Sequence, residues 1–174
     1  KKAYTIEQCK AETALGEAEN LIKSSAIPFD VVFFDLPGTV NSAGILHTLM
    51  GMDYIFSPIT ADRVVVESTL SFTQALTDII MKNGGSTIKG IHLFWNQVDG
   101  REKTGLYDAY QSVIKELNLP IMETRIMDSK RFRKETDDTG SYVFRSSLLP
   151  AEPQLMKATK MDLFVEEFLK ITHL

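Results

Sequence analysis

The sequence predicts an α/β domain, a mainly parallel sheet with helices on both faces, and three observations carry that expectation. Short apolar runs alternate with segments of helical pattern, the order expected of βαβ units joined by right-handed crossovers. Residues 30–36 (DVVFFDL) are a near-continuous run of β-branched and aromatic side chains, as in a strand covered on both faces. Polar, turn-prone sequence follows the runs, and open α/β sheets bind ligands beyond the carboxyl ends of their strands.

Taken in order, residues 4–8 offer a short first strand, and 10–24 are rich in Ala, Glu and Leu, which favour helix. The 30–36 strand follows, and then a helix over 42–51 that Asn41 or Ser42 can cap. A second strand spans Tyr54–Ile59. The next helix, Arg63–Asn83, starts at Asp62 and stops at Gly84-Gly85. Residues 88–95 and 121–126 read as further strands, each interrupted by polar residues, with a helix over 104–117 between them that ends at Asn118. An irregular connection covers 134–150. A last helix over 153–171 carries an apolar stripe of Leu155, Met156, Leu163, Phe164 and Phe168. With 174 residues and neither repeats nor a clear linker, a single domain over 1–174 is expected.

Composition excludes several classes. The chain is 44% hydrophobic and 24% charged, as in ordinary globular proteins, and no apolar run reaches the roughly 20 residues that span a bilayer. A lone cysteine, Cys9, rules out an intrachain disulfide and any Cys-based metal site. His47, His92 and His173 share no ligand spacing, which argues against zinc. A net charge of −4 is not that of a wholly basic nucleic-acid module. The start Lys1-Lys2-Ala3 reads as an internal one, without a signal peptide, and a reducing cytoplasm is the expected setting.

Three strand ends carry candidate chemistry. In Asp35-Leu36-Pro37-Gly38-Thr39 a carboxylate closes an apolar run, and burying it is costly unless it is paired or bound to a cation such as Mg²⁺. Pro37 stiffens the turn, and Gly38 lets a backbone N–H approach a phosphate. Asp35 can equally cap the helix that follows. In Asn96-Gln97-Val98-Asp99-Gly100-Arg101, the Asn side chain offers the donor and acceptor that suit a purine edge, and an Asx turn uses the same residues. The third end runs past Met127 and Asp128 into Lys130, Arg131, Arg133 and Lys134. That basic cluster suits a phosphate, a non-specific DNA surface or a solvated turn. No G-x-x-x-x-G-K-[ST] occurs anywhere, and Gly84-Gly85-Ser86-Thr87 runs from helix to strand, the wrong way for a phosphate loop.

These residues resemble the ParA/MinD-type ATPases, and most closely the ParA-like proteins of conjugative transposons. Residues 29–39 resemble the family's D-x-x-x-x-D-x-P strand, and 52–59 its next strand, which often ends in proline. Residues 93–101 are similar to its base-contacting asparagine strand, and 124–132 occupy the place of its last adenine-side loop, with Met127 where proline is frequent. The likeness covers the chain from about Phe29 to the last helix, including DLPGTVNS, SPITADRVVVESTLSF and FWNQVDGREKT. It implies a P-loop NTPase-like fold without its first strand and its loop K-G-G-x-G-K-[ST], which would lie before Lys1, so that 1–174 is the C-terminal two-thirds of the domain. Asp35 would sit in the magnesium shell, with Pro37 beside the nucleotide and Gly38 sensing the γ-phosphate. Asn96 would contact adenine, while Met127 and Asp128 close the base side. Family activity is ATP-driven homodimerisation with weak hydrolysis, stimulated by a partner protein and used to segregate plasmids, chromosomes or mobile elements on DNA. Lys130, Arg131, Arg133 and Lys134 would serve the DNA contact. Without the loop, this chain by itself is expected neither to bind Mg-ATP tightly nor to hydrolyse it. Two other readings stand beside this one. A GTPase-like domain would use Asp35–Gly38 as D-x-x-G and Asn96–Asp99 for guanine, and a partner-binding domain would keep the fold without catalysis.

Overall fold

The computed structural model describes residues 4–36, 43–83, 87–102, 104–133 and 152–174. They form two compact units, one of Lys1–Thr5, Phe56–Ile79 and Ile91–Leu174, the other of Ile6–Ile55 and Ile80–Gly90. The fold mixes helix and strand around a two-stranded parallel sheet. In chain order the described elements are α1 (Ala14–Ser24), α2 (Ala43–Met50), β1 (Tyr54–Ile59), α3 (Arg63–Asn83), β2 (Gly90–Trp95), α4 (Thr104–Glu116), α5 (Lys130–Arg133), α6 (Pro153–Thr159) and α7 (Met161–Thr172).

Several elements form where local chemistry places them. β1 has the bounds read from its apolar run, and Pro58, which has no N–H to give a ladder, sits exposed within it. α3 begins where the Asp62 carboxylate accepts the N–H groups of Val64 and Val65 at 2.9 and 3.0 Å, satisfying donors that a helix start leaves open. β2 begins at Gly90, two residues later than its expected start at Ile88.

Within the first unit, β2 alternates strictly. Ile91, Leu93 and Trp95 are buried on one face, where Leu93 and Trp95 pack with Val66 and Leu70 of α3 and with Tyr107, Tyr110 and Ile114 of α4. His92 and Phe94 point the other way, where the Phe94 ring meets Phe164 of α7 at 4.9 Å, and Phe56 of β1 meets His92 at 5.5 Å and Phe168 at 4.9 Å. The sheet is therefore covered by α3 and α4 on one side and by α7 on the other. Burial pushes the His92 imidazole below its ordinary range, against an opposing pull from Glu167.

Residues 120–128 lie parallel to β2 but do not form the regular strand expected over 121–126. Bridges occur only at Leu93–Ile121 and Val98–Met127. Met122 N–H donates to the Leu93 carbonyl at 2.8 Å and Ile126 N–H to the Trp95 carbonyl at 2.9 Å, so the outer segment advances four residues while β2 advances two. The surplus residues bulge out. Their backbone donors are not lost, because the Glu167 carboxylate of α7 accepts the N–H groups of Glu123 and Thr124, each at 2.8 Å. Burial alone would raise the Glu167 carboxyl, but the Thr124 side chain and these two backbone donors together hold it below the usual glutamate range.

Two other expectations are corrected. Residues 30–36 form no strand, and exposure alternates along them, with Phe29, Val31 and Phe33 turned outward and Phe33 78% exposed. A buried strand needs a hydrogen-bonded neighbour and cover on both faces, and local composition supplies neither. Residues 4–8 likewise form no strand. The last helix is broken at Lys160, which takes left-handed φ 58° and ends α6 while starting α7. The Thr159 carbonyl turns out of the helix to accept Met127 N–H at 3.0 Å, which interrupts the ladder there.

In the second unit α1 and α2 approach closely. Thr48 of α2 donates its hydroxyl to the Ala11 carbonyl at 2.7 Å, and a Cβ at Gly44 or Gly51 would run into Glu12 or Leu15. Lys89 pairs with Asp53 at 2.8 Å, and its backbone N–H donates to the Asp53 carbonyl.

Replacing Glu167 by Gln is expected to destabilise the fold by about 2 kcal/mol at neutral pH, because the amide keeps one acceptor oxygen and turns an NH₂ donor toward the other backbone N–H. Because the folded carboxyl lies below its unfolded value, its contribution is full above the ordinary glutamate range and is lost as pH falls through the lower folded value. Denaturant melts of the parent and Glu167→Gln should therefore differ at neutral pH and converge in acid; parallel curves would exclude the clasp. Trp95, the single tryptophan, is 0% exposed, so its emission should be blue-shifted and resist acrylamide quenching until the global transition.

Candidate functional site

The carboxyl ends of β1, β2 and the 120–128 segment gather one group of loops. Asn96 N–H donates to the Ile59 carbonyl at 2.8 Å, Val98 N–H to Ile126 at 2.9 Å, and Asp128 N–H to Val98 at 2.9 Å. These bonds carry the pairing past the last strand residue and draw 96–101 and 127–131 together.

Asn96 is half-buried where β2 ends. Its carboxamide oxygen accepts Gln97 N–H at 2.9 Å, which helps hold Gln97 at φ 54°, a left-handed conformation disfavoured for a side chain of that kind. The carboxamide NH₂ makes no bond to any described residue, so its two donors are available at the mouth of the loops.

Asp99 is engaged by its own loop. One oxygen accepts Arg101 N–H at 2.9 Å and Arg101 Nε at 3.0 Å, and the other accepts Arg101 Nη2 at 2.7 Å. The Arg101 side chain, helped by its backbone N–H, brings the carboxyl down to about 2, so the fork stays ionised through the neutral range. Met127 packs within this group, and a Cβ at Gly100 would press on its methyl group. Asp128 is exposed and adds its charge to the field at Arg101.

The basic cluster is divided. Ser129 starts α5, its hydroxyl accepting Arg131 N–H at 3.3 Å. Arg131 pairs with Glu152, while Lys130 is exposed. The side chain of Arg133, and Lys134 entirely, lie outside the described residues, as do Pro37 and Gly38. Asp35 is exposed at the end of the extended 30–36 segment in the second unit, so the expectation that it closes a buried strand is not met.

Sequence reasoning missed two elements near this site. The Asp99–Arg101 fork is legible in retrospect, since an i,i+2 Asp-x-Arg across a glycine turn brings both charges to one side. The Glu167 clasp has no local signal, because its partners lie more than forty residues away in sequence. Trp95 Nε1, buried beside Asn96, has no acceptor among the described residues, and the Tyr107 ring stands edge-on to the indole at 5.1 Å. Among the described residues, no group of three or more His, Cys, Asp or Glu is placed to hold a metal ion, and no helix is long and apolar enough to cross a membrane. Comparison with family models, curated proteins and solved structures finds no match to this chain.

Proposed function

We propose that this chain is most of a nucleotide-binding domain of the ParA/MinD ATPase type. With the family's phosphate loop, such a protein binds Mg-ATP, dimerises, and hydrolyses ATP to drive segregation or transfer of DNA. The observation that carries the reading is Asn96. It sits at the carboxyl end of a parallel strand with its NH₂ donors open, and the 127–128 loop is hydrogen-bonded to its own loop through Val98. A free amide edge facing a second loop at a strand end suits a purine base. The resemblance around Asn96 and around residues 29–39 adds the nucleotide class, with Asp35 in the magnesium shell and Gly38 at the γ-phosphate.

The competing guanine reading requires Asp99 to accept hydrogens from the base, and both of its oxygens are held by Arg101. Adenine is the better fit. For DNA, Lys130 is exposed, and Arg131 has its Nη1 engaged by Glu152, which offsets its charge toward a phosphate.

In a form carrying a phosphate loop, Asp35→Ala is expected to lower Mg²⁺-dependent hydrolysis at least a hundredfold with an unchanged thermal melt. Wild-type turnover would remove Asp35 from the site. Asn96→Ala should weaken ATP about tenfold in competition with a fluorescent analogue, the worth of one or two hydrogen bonds. Tighter binding of GTP than ATP would overturn the adenine assignment.

A further inference from the structure

Away from the strand-end loops, a cleft of about 390 Å³ opens beside the bulge. It is lined by Gln111 of α4, by Glu123, Thr124 and Arg125, and by Lys160 and Leu163 at the α6–α7 junction. A smaller hollow of about 250 Å³ shares Gln111 and Arg125 and continues to Asp108, Ser112 and Lys115 along α4. The larger volume lies within the roughly 300–1,000 Å³ of small-molecule sites.

Arg125 is held in place. Its side chain is 23% exposed and its guanidinium lies over the Tyr107 ring at 5.6 Å. Nη2 donates to Asp108 Oδ1 and to Gln111 Oε1, both at 2.7 Å. These contacts use one nitrogen, and Nε and Nη1 bond to no described residue. Lys160 is fixed differently, since its backbone is pinned in the left-handed turn by bonds from its N–H to the Lys157 and Met156 carbonyls. Its ammonium makes no ion pair with any described residue. The acids nearby are taken, Asp108 by Arg125 and Glu123 by Lys115 at 3.6 Å. What the lining leaves over is the Lys160 charge and the Nε and Nη1 donors of a guanidinium already oriented by its other contacts.

We propose that this cleft binds the oxyanion group of a small molecule, a carboxylate or a phosphate, between Arg125 and Lys160. The site is separate from the nucleotide reading and does not depend on it. Titration calorimetry of the full chain with inorganic phosphate and with succinate, at ionic strength matched with NaCl, tests the proposal. Saturable heat is expected with at least one of them. Phosphate alone would name a phosphorylated ligand and succinate alone a carboxylate. Lys160→Gly removes the ammonium at a position whose positive φ suits glycine, so the turn should survive while affinity falls at least tenfold. Arg125→Lys, which keeps a charge but loses the planar donors, should show a comparable loss, and Asn96→Ala should show none. Absence of saturable heat with both anions, or unchanged affinity in a folded Lys160→Gly, would overturn the site.

Discussion

The peptide groups of Leu93, Trp95 and Val98 hold the first unit together. Leu93 and Trp95 carbonyls and Val98 N–H tie β2 and its continuation to the 120–128 segment, and Asn96 N–H ties the same stretch to β1. A buried peptide group without a partner costs on the order of 1–3 kcal/mol, so this ladder constrains everything that packs on it. Leu93 and Trp95 are thereby presented to α3 and α4, and Phe94 to α7. Because two residues of β2 oppose four of the outer segment, the ladder cannot close by itself, and the fold supplies a carboxylate from α7 to finish it.

That clasp also explains the shape of the C-terminal helices. Glu167 reaches the bulge only if α7 lies along the sheet with Phe164 and Phe168 seated on Phe94 and Phe56. A straight helix through 160 would not deliver the Thr159 carbonyl to Met127 as well. The left-handed residue at Lys160 reconciles the two demands, at a conformational cost of about 1 kcal/mol for a residue with a side chain. The same junction brings Lys160 to the lining of the cleft that Arg125 also lines.

Polar groups around the strand ends are sorted by how much of their hydrogen-bonding capacity the fold consumes. Asp99 is spent on Arg101, and Glu167 on the Thr124 side chain and two backbone donors, and both carboxyls are held below their ordinary ranges as a result. Asn96 gives up only its oxygen and Arg125 only one nitrogen. Residual capacity, rather than residue type, separates groups able to meet a ligand from those that build the loops.

Much of this was readable in the chain itself. Tyr54–Ile59 and Arg63–Asn83 announce themselves through β-branched content, helical period and the Asp62 cap, which are local properties, and they form with those bounds. Asn96 and Asp99 were recognisable as loop residues at a strand end. The 30–36 run was not readable in the same way, because an apolar β-forming sequence states a preference and not a neighbour. The bulge, the break at Lys160 and the closeness of Arg125 to Lys160 depend on registers set by residues tens of positions apart. By itself the sequence determined which segments could be helix or strand and which residues could carry charge to their ends. The tertiary structure alone decided which of those groups were used up, since hydrogen bonds act over about 3 Å and only the folded chain brings their partners that close.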